Sequence, residues 1–463
     1  MYKNALIILI YGVKMKKFLL IPMLISVSLI LGGCLKISTP EDMLIAPELN
    51  KEKKDMKEAV EKFRPANTNL YPVYFSENKK SVNMIVSDLD EDSVSEIISF
   101  YKNKSDDKIG MFILKKENSL WVKYADTMFD TYEISNVNVS DLNGNNKKEV
   151  IVETYENNSG YNTKSYSIAY INEDKNIEFI KEIPYIVLKI FDVDSDGIKE
   201  IFSVTKSNKE SGYIMNVDRF DGHTIVNKEK KELKKVENPY DITVGLLYDD
   251  IMAVFVDYMK NNTFEDTDII IYNKNSNMYT PLSEIEEYQN KGYVFNIRCR
   301  DIDNDGVIEL AYKYKAPSYK VVVQDFRAGL VYGYFKMDKN YNLSLVREIY
   351  DDDNGYSINI PASFKGKYTI SEPKDSLDIN INFIDSSGKE YPLIEIKYIR
   401  KYDWQQNSQI REQMQMITEN QYYVVAGRVL DYSVNLKGKE KDDYLQMRSD
   451  ALILSNITKE RNF

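Results

Sequence analysis

Apolar and polar positions alternate and then give way to apolar runs around four short acidic segments of the chain. The positions two and four residues before each segment are apolar or carry a thiol: Val86, Val139, Ile190 and Cys299, and Met84, Val137, Leu188 and Ile297. The residues directly after the segments are Ile97, Val150, Ile201 and Leu310. Alternation is typical of a half-buried strand, and a short apolar run is typical of a buried one. Each segment is therefore predicted to be a tight loop between two strands, with Cys299 as a buried core thiol.

The four acidic segments repeat at a nearly constant spacing. They are Asp88–Glu96, Asp141–Glu149, Asp192–Glu200 and Asp301–Glu309, and their first aspartates are separated by 53, 51 and 109 residues. The last interval is about two periods, which predicts a fifth unit whose loop has degenerated, near residues 246–254. Repeats of this length indicate a propeller or another array of similar units.

Each unit also contains a second hairpin. Polar turns between apolar segments occur near Asn118, Asp174, Asp221-Gly222, Asn275 and residues 338–340. Each unit therefore offers four strands, the content of one propeller blade. The fold class predicted from the sequence is mainly β, with a β-propeller-like repeat domain of five visible blade units over residues 67–350.

The segments on either side of the repeats have different patterns. Residues 35–66 are predicted to be a polar tether and one short amphipathic helix that stops at Pro65. Residues 351–463 are predicted to be a small α+β C-terminal domain. Its predicted strands are residues 356–360, 378–384, 393–399 and 422–430, and its predicted helices are residues 403–419 and 442–457.

The acidic loops have the residue types of a metal site. Oxygens at loop positions 1, 3 and 5, a backbone carbonyl at position 7 and a carboxylate at position 9 can surround one ion, and six to eight such oxygens suit Ca²⁺. The candidate ligands are, in the four loops, Asp88, Asp90, Asp92, Val94 and Glu96; Asp141, Asn143, Asn145, Lys147 and Glu149; Asp192, Asp194, Asp196, Ile198 and Glu200; and Asp301, Asp303, Asp305, Val307 and Glu309. The loops at Asp192 and Asp301 are complete, with Gly197 and Gly306 at position 6. The loop at Asp141 is predicted to bind most weakly, because Asn143 and Asn145 are neutral.

These loops and their flanking strands resemble the FG-GAP/VCBS repeat family, which includes the integrin α-chain β-propeller. The resemblance covers roughly residues 80–350 and rests on the four acidic loops. It implies a propeller with structural Ca²⁺, although five visible units are fewer than the seven blades of integrins. The flanking strands distinguish the loops from an EF-hand, whose loop is flanked by helices.

The N-terminal segment has the order of a lipoprotein signal. Met15-Lys16-Lys17 is followed by an apolar run from Phe18 to Leu31 that ends in Leu31-Gly32-Gly33-Cys34. This order resembles the lipobox of bacterial lipoproteins, so residues 1–34 are predicted to be a signal peptide and lipobox with Cys34 lipidated, for instance by palmitate. Either Met1 or Met15 is the start. The predicted location is the cell membrane, lipid-anchored on the extracytoplasmic face, with two acyl chains for stable anchoring.

Charge and cysteine count limit the partners. Removal of residues 1–33 removes four lysines and no acids, which changes the formal net charge from −11 to −15. Such an acidic body repels nucleic acid, so nucleic-acid binding is not expected. Cys299 is then the one cysteine besides the anchor, so stability is expected from core burial or bound ions rather than from an internal disulfide.

The common catalytic motifs are absent from the sequence. There is no GxSxG, HExxH, P-loop or GxGxxG, and the single histidine, His223, falls in a predicted turn. The main prediction is a non-catalytic cell-surface module that binds a protein, peptide or glycan. The alternative is an extracytoplasmic hydrolase or lyase that uses a carboxylate pair at the propeller mouth. A third possibility assigns binding to the C-terminal domain alone.

Overall fold

The computed structural model describes residues 51–77, 79–155, 164–207, 212–233, 235, 237–261, 263–316, 330–351, 357–371, 378–451 and 457–458. The chain separates into two compact units, Met1–Phe63 and Arg64–Phe463. The described part of the first unit is a helix, Lys51–Phe63, which buries Met56, Ala59 and Val60 as its helical spacing predicts. In the part of the chain that the structure describes, no helix is long and apolar enough to span a membrane.

Most of the second unit consists of five successive β-sheets. Each contains four strands that follow one another in the chain and pair antiparallel in that order. The four-strand sets are, for sheet 1, Met84–Ser87, Glu96–Asn103, Ile109–Glu117 and Leu120–Met128; for sheet 2, Ile134–Ser140, Glu149–Tyr155, Lys164–Ile171 and Ile177–Tyr185; for sheet 3, Val187–Phe191, Glu200–Lys206, Tyr213–Phe220 and Ile225–Leu233; for sheet 4, Asn238–Tyr248, Ile251–Lys260, Thr263–Asn273 and Met278–Pro281; and for sheet 5, Ile297–Arg300, Glu309–Lys315, Leu330–Met337 and Leu343–Asp351. The prediction of a mainly β, propeller-like fold is confirmed.

Additional short strands extend three of these sheets. Thr68–Leu70 joins sheet 1, Val73–Phe75 and Lys80–Val82 join sheet 2, and Ser357–Ile360 and Ile457–Thr458 join sheet 5. Sheet 5 therefore continues beyond residue 351 through a strand that pairs with Leu343–Asp351. The proposed domain boundary between residues 350 and 351 stays a prediction.

The second strand of each four-strand set begins with or soon reaches a run of buried residues, as its apolar run predicts. In sheet 1 the strand Glu96–Asn103 is buried from its first residue through Tyr101. Apolar side chains then form clusters that join each sheet to the next. One cluster contains Phe202 of sheet 3 and Val254 of sheet 4, and another contains Phe255 of sheet 4 and Leu310 of sheet 5. This serial face-to-face packing is how propeller blades bury their faces.

Cys299 belongs to the cluster between sheets 4 and 5. Its side chain is fully buried beside Phe255 and Ile269, which confirms the prediction of a core thiol. Burial in this apolar surrounding raises the pKa of the thiol.

A sixth sheet follows the five repeats. Its strands, in their order across the sheet, are Tyr368–Ser371, Ile379–Ile384, Glu390–Arg400, Tyr423–Val429 and Gln415–Glu419. Neighbouring strands pair antiparallel, and Gln415–Glu419 lies at one edge. Short helices cover Glu286–Gln289, Lys401–Gln406 and Ser408–Gln413, 3-10 turns cover Leu282–Glu284, Ala362–Phe364 and Ser433–Asn435, and a longer helix covers Gly438–Ala451.

The predicted helix over residues 403–419 is wrong at its C-terminal end. The helical turns stop at Gln413, and Gln415–Glu419 instead forms an edge strand that pairs with Tyr423–Val429. The β-branched residues Ile417 and Thr418 favour a strand. Tertiary pairing therefore overrides the helical spacing that the sequence shows in this segment.

Candidate metal loops and an adjoining cleft

The four acidic loops connect the first and second strands of sheets 1, 2, 3 and 5, and they share one hydrogen-bond framework. The amide of position 2 donates to the carboxylate of position 9, at 2.8 Å for Leu89 and Glu96 and 3.0 Å for Val193 and Glu200. The same bond joins Leu142 to Glu149 and Ile302 to Glu309. The loops are thus held in one conformation by their own residues.

Two further bonds close each loop. The amide of position 6 donates to the carboxylate of position 1, as from Gly197 to Asp192 at 3.0 Å, and the amide of position 7 donates to position 5, as from Ile198 to Asp196 at 2.8 Å. The other three loops repeat both bonds. The expected turn therefore contains the residues predicted to offer a backbone carbonyl to a metal ion, which are Val94, Lys147, Ile198 and Val307. Their role as metal ligands stays a prediction.

The backbone at position 6 is left-handed in every loop, as the glycines there predict. The φ angles are +87° for Gly197 and +88° for Gly306, and they are +66° for Ser93 and +70° for Asn146. Position 4 is left-handed as well, at Glu91, Gly144, Ser195 and Asn304. A left-handed backbone costs a residue with a Cβ about 1–2 kcal/mol, so the non-glycine loops store more strain.

The loops bring three of the predicted acidic positions together. In the loops at Asp88, Asp192 and Asp301, one carboxylate oxygen from each of positions 1, 3 and 9 lies within 4.8 Å of the others. The triads are Asp88, Asp90 and Glu96; Asp192, Asp194 and Glu200; and Asp301, Asp303 and Glu309. These are acidic groups that could hold a metal ion. Positions 5 and 7 are not part of the triads, and the loop at Asp141 places the neutral Asn143 at position 3.

The position-9 glutamates are buried, and their pKa values are raised. Burial, followed by the neighbouring aspartates, raises the pKa of Glu96 to about 7, although the Leu89 amide opposes the shift. Burial likewise raises the pKa of Glu149 to about 7. The pKa values of Glu200 and Glu309 are also raised, mainly by burial. A cation among these carboxylates would stabilise their ionised form.

The loop at Asp88 passes a direct test of fit for a cation. Buried Oδ1 atoms of Asp88 and Asp90 have no hydrogen-bond partner among the described residues. Buried carboxylate oxygens are ordinarily paired, and those left unpaired call for a missing partner. Because both atoms belong to the acidic triad, a bound cation would satisfy them.

The loops at Asp192 and Asp301 already contain a cationic side chain. Arg219 pairs with Asp194 at 3.2 Å and Asp196 at 3.0 Å, and its Nε lies 2.6 Å from Glu200. Lys336 lies 2.9 Å from Asp303 and 3.5 Å from Glu309, and it also pairs with Asp305. Burial opposes the shift, but Glu200 and Asp196 raise the pKa of Arg219, and hydrogen bonds to Asp305 and Asp303 raise the pKa of Lys336 against a smaller effect of burial.

Neighbouring loops are joined through their backbones. The Lys148 amide donates to the Leu89 carbonyl and the Lys199 amide to the Leu142 carbonyl, both at 2.9 Å. Sheet 4 makes the equivalent contact at Leu246, which accepts from the Ile308 amide at 2.8 Å. The loops therefore lie along one edge of consecutive sheets.

Sheet 4 lacks an acidic loop, as predicted for residues 246–254. A two-residue turn, Asp249-Asp250, joins its first and second strands in place of the nine-residue segment. Beside this turn lies a cleft of about 830 Å³. It is lined by Asp194 and Ser195 of the Asp192 loop, by the turn itself and by Tyr341 of sheet 5. The shortened connection therefore leaves room between two neighbouring loop regions.

Tyrosines form much of the cleft wall. Tyr272 donates a hydrogen bond to Asp194 at 3.1 Å, and burial together with this bond raises the pKa of Tyr272 to about 12. The rings of Tyr248 and Tyr341 meet edge to face with centroids 6.3 Å apart. Lys274 and Asn275 add polar groups to the lining. The cleft thus combines aromatic faces with three carboxylates, those of Asp194, Asp249 and Asp250.

Other candidate residues have simpler positions. His223 lies in the turn between two strands of sheet 3, where its amide donates to Asp221 at 2.9 Å, so it is a hairpin residue as predicted. Cys34, the predicted signal and residues 35–50 of the predicted tether lie outside the described residues. The sequence analysis did not identify Arg219, Lys336 or Tyr272. Each lies on the third strand of its sheet, directly after the residue that pairs with the start of the apolar run on the second strand.

No family model and no curated protein matches the chain. Solved structures of similar architecture include a protein from Lactobacillus plantarum, at 10% identity and TM-score 0.27 over 70% of this chain and 91% of that one. An exo-β-1,3-galactanase from Clostridium thermocellum matches at 8% identity and TM-score 0.28 over 79% and 97%. An exotype rhamnogalacturonan lyase matches at 10% identity and TM-score 0.26 over 71% and 69%.

The prediction that the chain is not an enzyme is contradicted by these neighbours. They include a galactanase and a lyase, which are enzymes by their printed names. At these identities and TM-scores, the similarity is one of architecture alone. The chain is a β-propeller-like protein of five repeated sheets.

Proposed function

We propose that this protein is a lipid-anchored extracytoplasmic enzyme that binds and cleaves a glycan in the cleft beside sheet 4. The observation that carries the proposal is the combination of Asp194, Asp249 and Asp250 with tyrosine rings in one cavity. The cavity forms where the repeat is interrupted. Breaks in an otherwise regular pattern are expected at functional sites.

The lining suits a sugar chain. Ligand cavities of about 300–1,000 Å³ with aromatic walls and a few polar groups are typical binding sites. Tyrosine presents an apolar ring and a hydroxyl, so it can pack on a sugar face and bond to its edge. Lys274 and Asn275 provide further donors.

The carboxylates supply the chemistry of glycoside cleavage. Glycosidases use two Asp or Glu groups, one to protonate the leaving oxygen and one to activate water or attack the sugar. Asp249 and Asp250 are exposed on the turn, while Asp194 accepts a hydrogen bond from Tyr272. The cleft therefore offers carboxylates from two segments of the chain, the Asp192 loop and the Asp249-Asp250 turn. A lyase would draw on the same acids together with a tyrosine or lysine base.

The metal loops have a structural part in this proposal. Oxygen-rich loops with flexible geometry favour Ca²⁺ over Mg²⁺. The unpaired oxygens of Asp88 and Asp90 support a cation there. We propose that Ca²⁺ stabilises the propeller-like body, in the manner implied by the FG-GAP/VCBS resemblance, and that the anchor on Cys34 holds this body at the cell membrane.

The test is a glycan screen with the full-length protein in detergent. Galactans, pectic polymers and bacterial cell-wall glycans are incubated with protein and Ca²⁺, and new reducing ends and unsaturated uronates are measured. Turnover of one glycan class is expected. Binding without turnover of any tested class would contradict the catalytic part of the proposal.

Matched variants locate the activity. Asp249→Asn combined with Asp250→Asn is expected to reduce turnover at least tenfold, because it removes carboxylates from the cleft without changing the size of the side chains. Asp174→Asn, at an exposed turn of sheet 2, is the control and is expected to leave turnover unchanged. Equal activity in both variants would place the site elsewhere.

A further inference from the structure

We infer that Arg219 and Lys336 are built-in cations that take the place of a metal ion in the loops at Asp192 and Asp301, so that the loop at Asp88 is the preferred metal site. The inference rests on the proposed Ca²⁺ role of these loops. It reverses the order that the sequence motifs suggest, in which the two complete loops bind first.

One strand position decides which loop receives a cation. In sheet 3, Glu200 is the register partner of Arg219 on the third strand. In sheet 5, Leu310 pairs with Phe335, and Lys336 follows Phe335 directly. A side chain at this position therefore lies opposite the position-9 glutamate, on the same side of the sheet as the acidic triad.

Arg219 matches the acidic loop of sheet 3 group by group. Its guanidinium contacts the carboxylates of Asp194, Asp196 and Glu200, which are positions 3, 5 and 9 of the loop. A guanidinium has five donors in a fixed plane and binds carboxylates through several of them at once. Because the side chain is only 17% exposed, these contacts are partly shielded from water.

Lys336 approaches the loop of sheet 5 in a similar way, although the buried Oε1 of Glu309, 3.5 Å from the ammonium group, has no hydrogen-bond partner among the described residues. Its ammonium group contacts Asp303, Asp305 and Glu309, the same three loop positions. A divalent ion in either loop would have to lie close to a positive charge or displace it. Like charges a few ångströms apart in a partly buried site repel strongly, so the resident cation lowers the affinity for metal.

The loop at Asp88 has the opposite arrangement. Leu114 is the partner of Ile97, so the equivalent residue in sheet 1 is Lys115. Lys115 pairs with Glu117 at 3.2 Å and lies 4.2 Å from the centre of the Tyr124 ring. The cation is thus held outside the triad, and buried oxygens of Asp88 and Asp90 remain without a hydrogen bond.

The residue at this position is uncharged in sheets 2 and 4. Ala169 pairs with Val150 and is followed by Tyr170, while Ile271 pairs with Ala253 and is followed by Tyr272. Tyr170 donates to Glu178 of its own sheet, and Tyr272 donates to Asp194. Asp194 therefore joins the Arg219 cluster to the cleft, which keeps that cleft wall in place without a metal ion.

The test is calorimetric titration of the full-length protein in detergent with Ca²⁺ alone. The wild-type protein is expected to show one high-affinity site, and Asp90→Asn is expected to abolish it. Arg219→Met and Lys336→Met are each expected to add one site, because each exposes a complete set of loop carboxylates. Lys115→Met is the matched control, and it is expected to leave the number of sites at one.

A second variant guards against misfolding at position 219. Arg219→Lys keeps the positive charge and is expected to retain one site, and near-ultraviolet circular dichroism checks the fold of every variant. Three high-affinity sites in the wild-type protein, or no added site in Arg219→Met and Lys336→Met, would overturn the inference while leaving the Ca²⁺ role intact. No binding by any variant would overturn both.

Discussion

The loops at Asp88 and Asp192 have the same backbone and the same three framework hydrogen bonds, yet their carboxylates are satisfied in different ways. In the Asp192 loop, Arg219 reaches from the facing strand and pairs with three acids. In the Asp88 loop, Lys115 turns to Glu117 and Tyr124, and buried oxygens remain unpaired. We therefore propose that the completeness of a loop motif does not by itself determine whether the loop needs an ion. Under this proposal, the residue of the third strand that lies opposite position 9 also determines whether the loop needs an ion.

The largest expected effect is the loss of Arg219 in the presence of chelator. Arg219→Met is expected to lower the free energy of unfolding by about 3 kcal/mol, because removal of one partner leaves a buried acid such as Glu200 uncompensated. Lys115→Met is expected to change it by less than about 1 kcal/mol, as for an exposed pair. Denaturant unfolding measures both, and equal effects would remove the distinction between the two loops.

Next in size is the effect of Ca²⁺ on the wild-type protein. Ca²⁺ at 100 times its dissociation constant is expected to raise the free energy of unfolding by about 2.7 kcal/mol per site. Asp90→Asn is expected to abolish this increase, whereas Asp303→Asn in the Lys336 loop is expected to preserve it. Thermal unfolding with Ca²⁺ and with chelator provides the measurement. A loss of the increase in Asp303→Asn would show that the two kinds of loop do not differ.

A buried acid outside the loops gives a smaller effect that depends on pH. Burial raises the pKa of Asp257 to about 7, although Thr267 and Arg298 oppose the shift, and Asp241 also faces Arg298. The folded state then binds more protons than the unfolded state between about pH 4 and pH 7, so stability falls as the pH rises through this window.

Asp257→Asn is expected to flatten this dependence by at least about 1.4 kcal/mol, the equivalent of one pKa unit. Denaturant unfolding in chelator at several pH values measures it, with Asp174→Asn as the control that keeps the wild-type slope. An unchanged slope in Asp257→Asn would assign the pH dependence to the loop glutamates instead.

The smallest effect concerns the left-handed position 6, where Ser93 and Gly197 differ. Gly197→Ala is expected to cost about 1 kcal/mol, because a Cβ is strained at a φ of +87° even though no neighbouring atom lies within 4 Å. Ser93→Gly is expected to relieve the equivalent strain and to change stability by less than about 0.5 kcal/mol, since glycine also loses more entropy on folding. A pronounced loss of stability in Ser93→Gly would indicate that the serine side chain has a role of its own.

The repeat and its strands followed from local patterns. Period-two alternation, apolar runs and polar turns predicted four strands in each unit, because these signals depend on residues close in sequence. The edge strand Gln415–Glu419 was missed, since its pairing with Tyr423–Val429 outweighed a helical spacing. Val86 is 42% exposed although Cys299 at the same repeat position is fully buried, because sheet 1 comes first and Cys299 packs on sheet 4.

The sequence by itself determined the mainly β class, the positions of the four acidic loops, the left-handed glycines and the degenerate loop near residues 246–254. Only the tertiary structure decided that Arg219 and Lys336 reach into two of those loops and that a cleft opens beside Asp249-Asp250. The physical reason is distance along the chain. A loop motif lies within nine residues, whereas the cationic side chain that pairs with its carboxylates comes from the third strand of the sheet. The residues that line the cleft come from three neighbouring sheets.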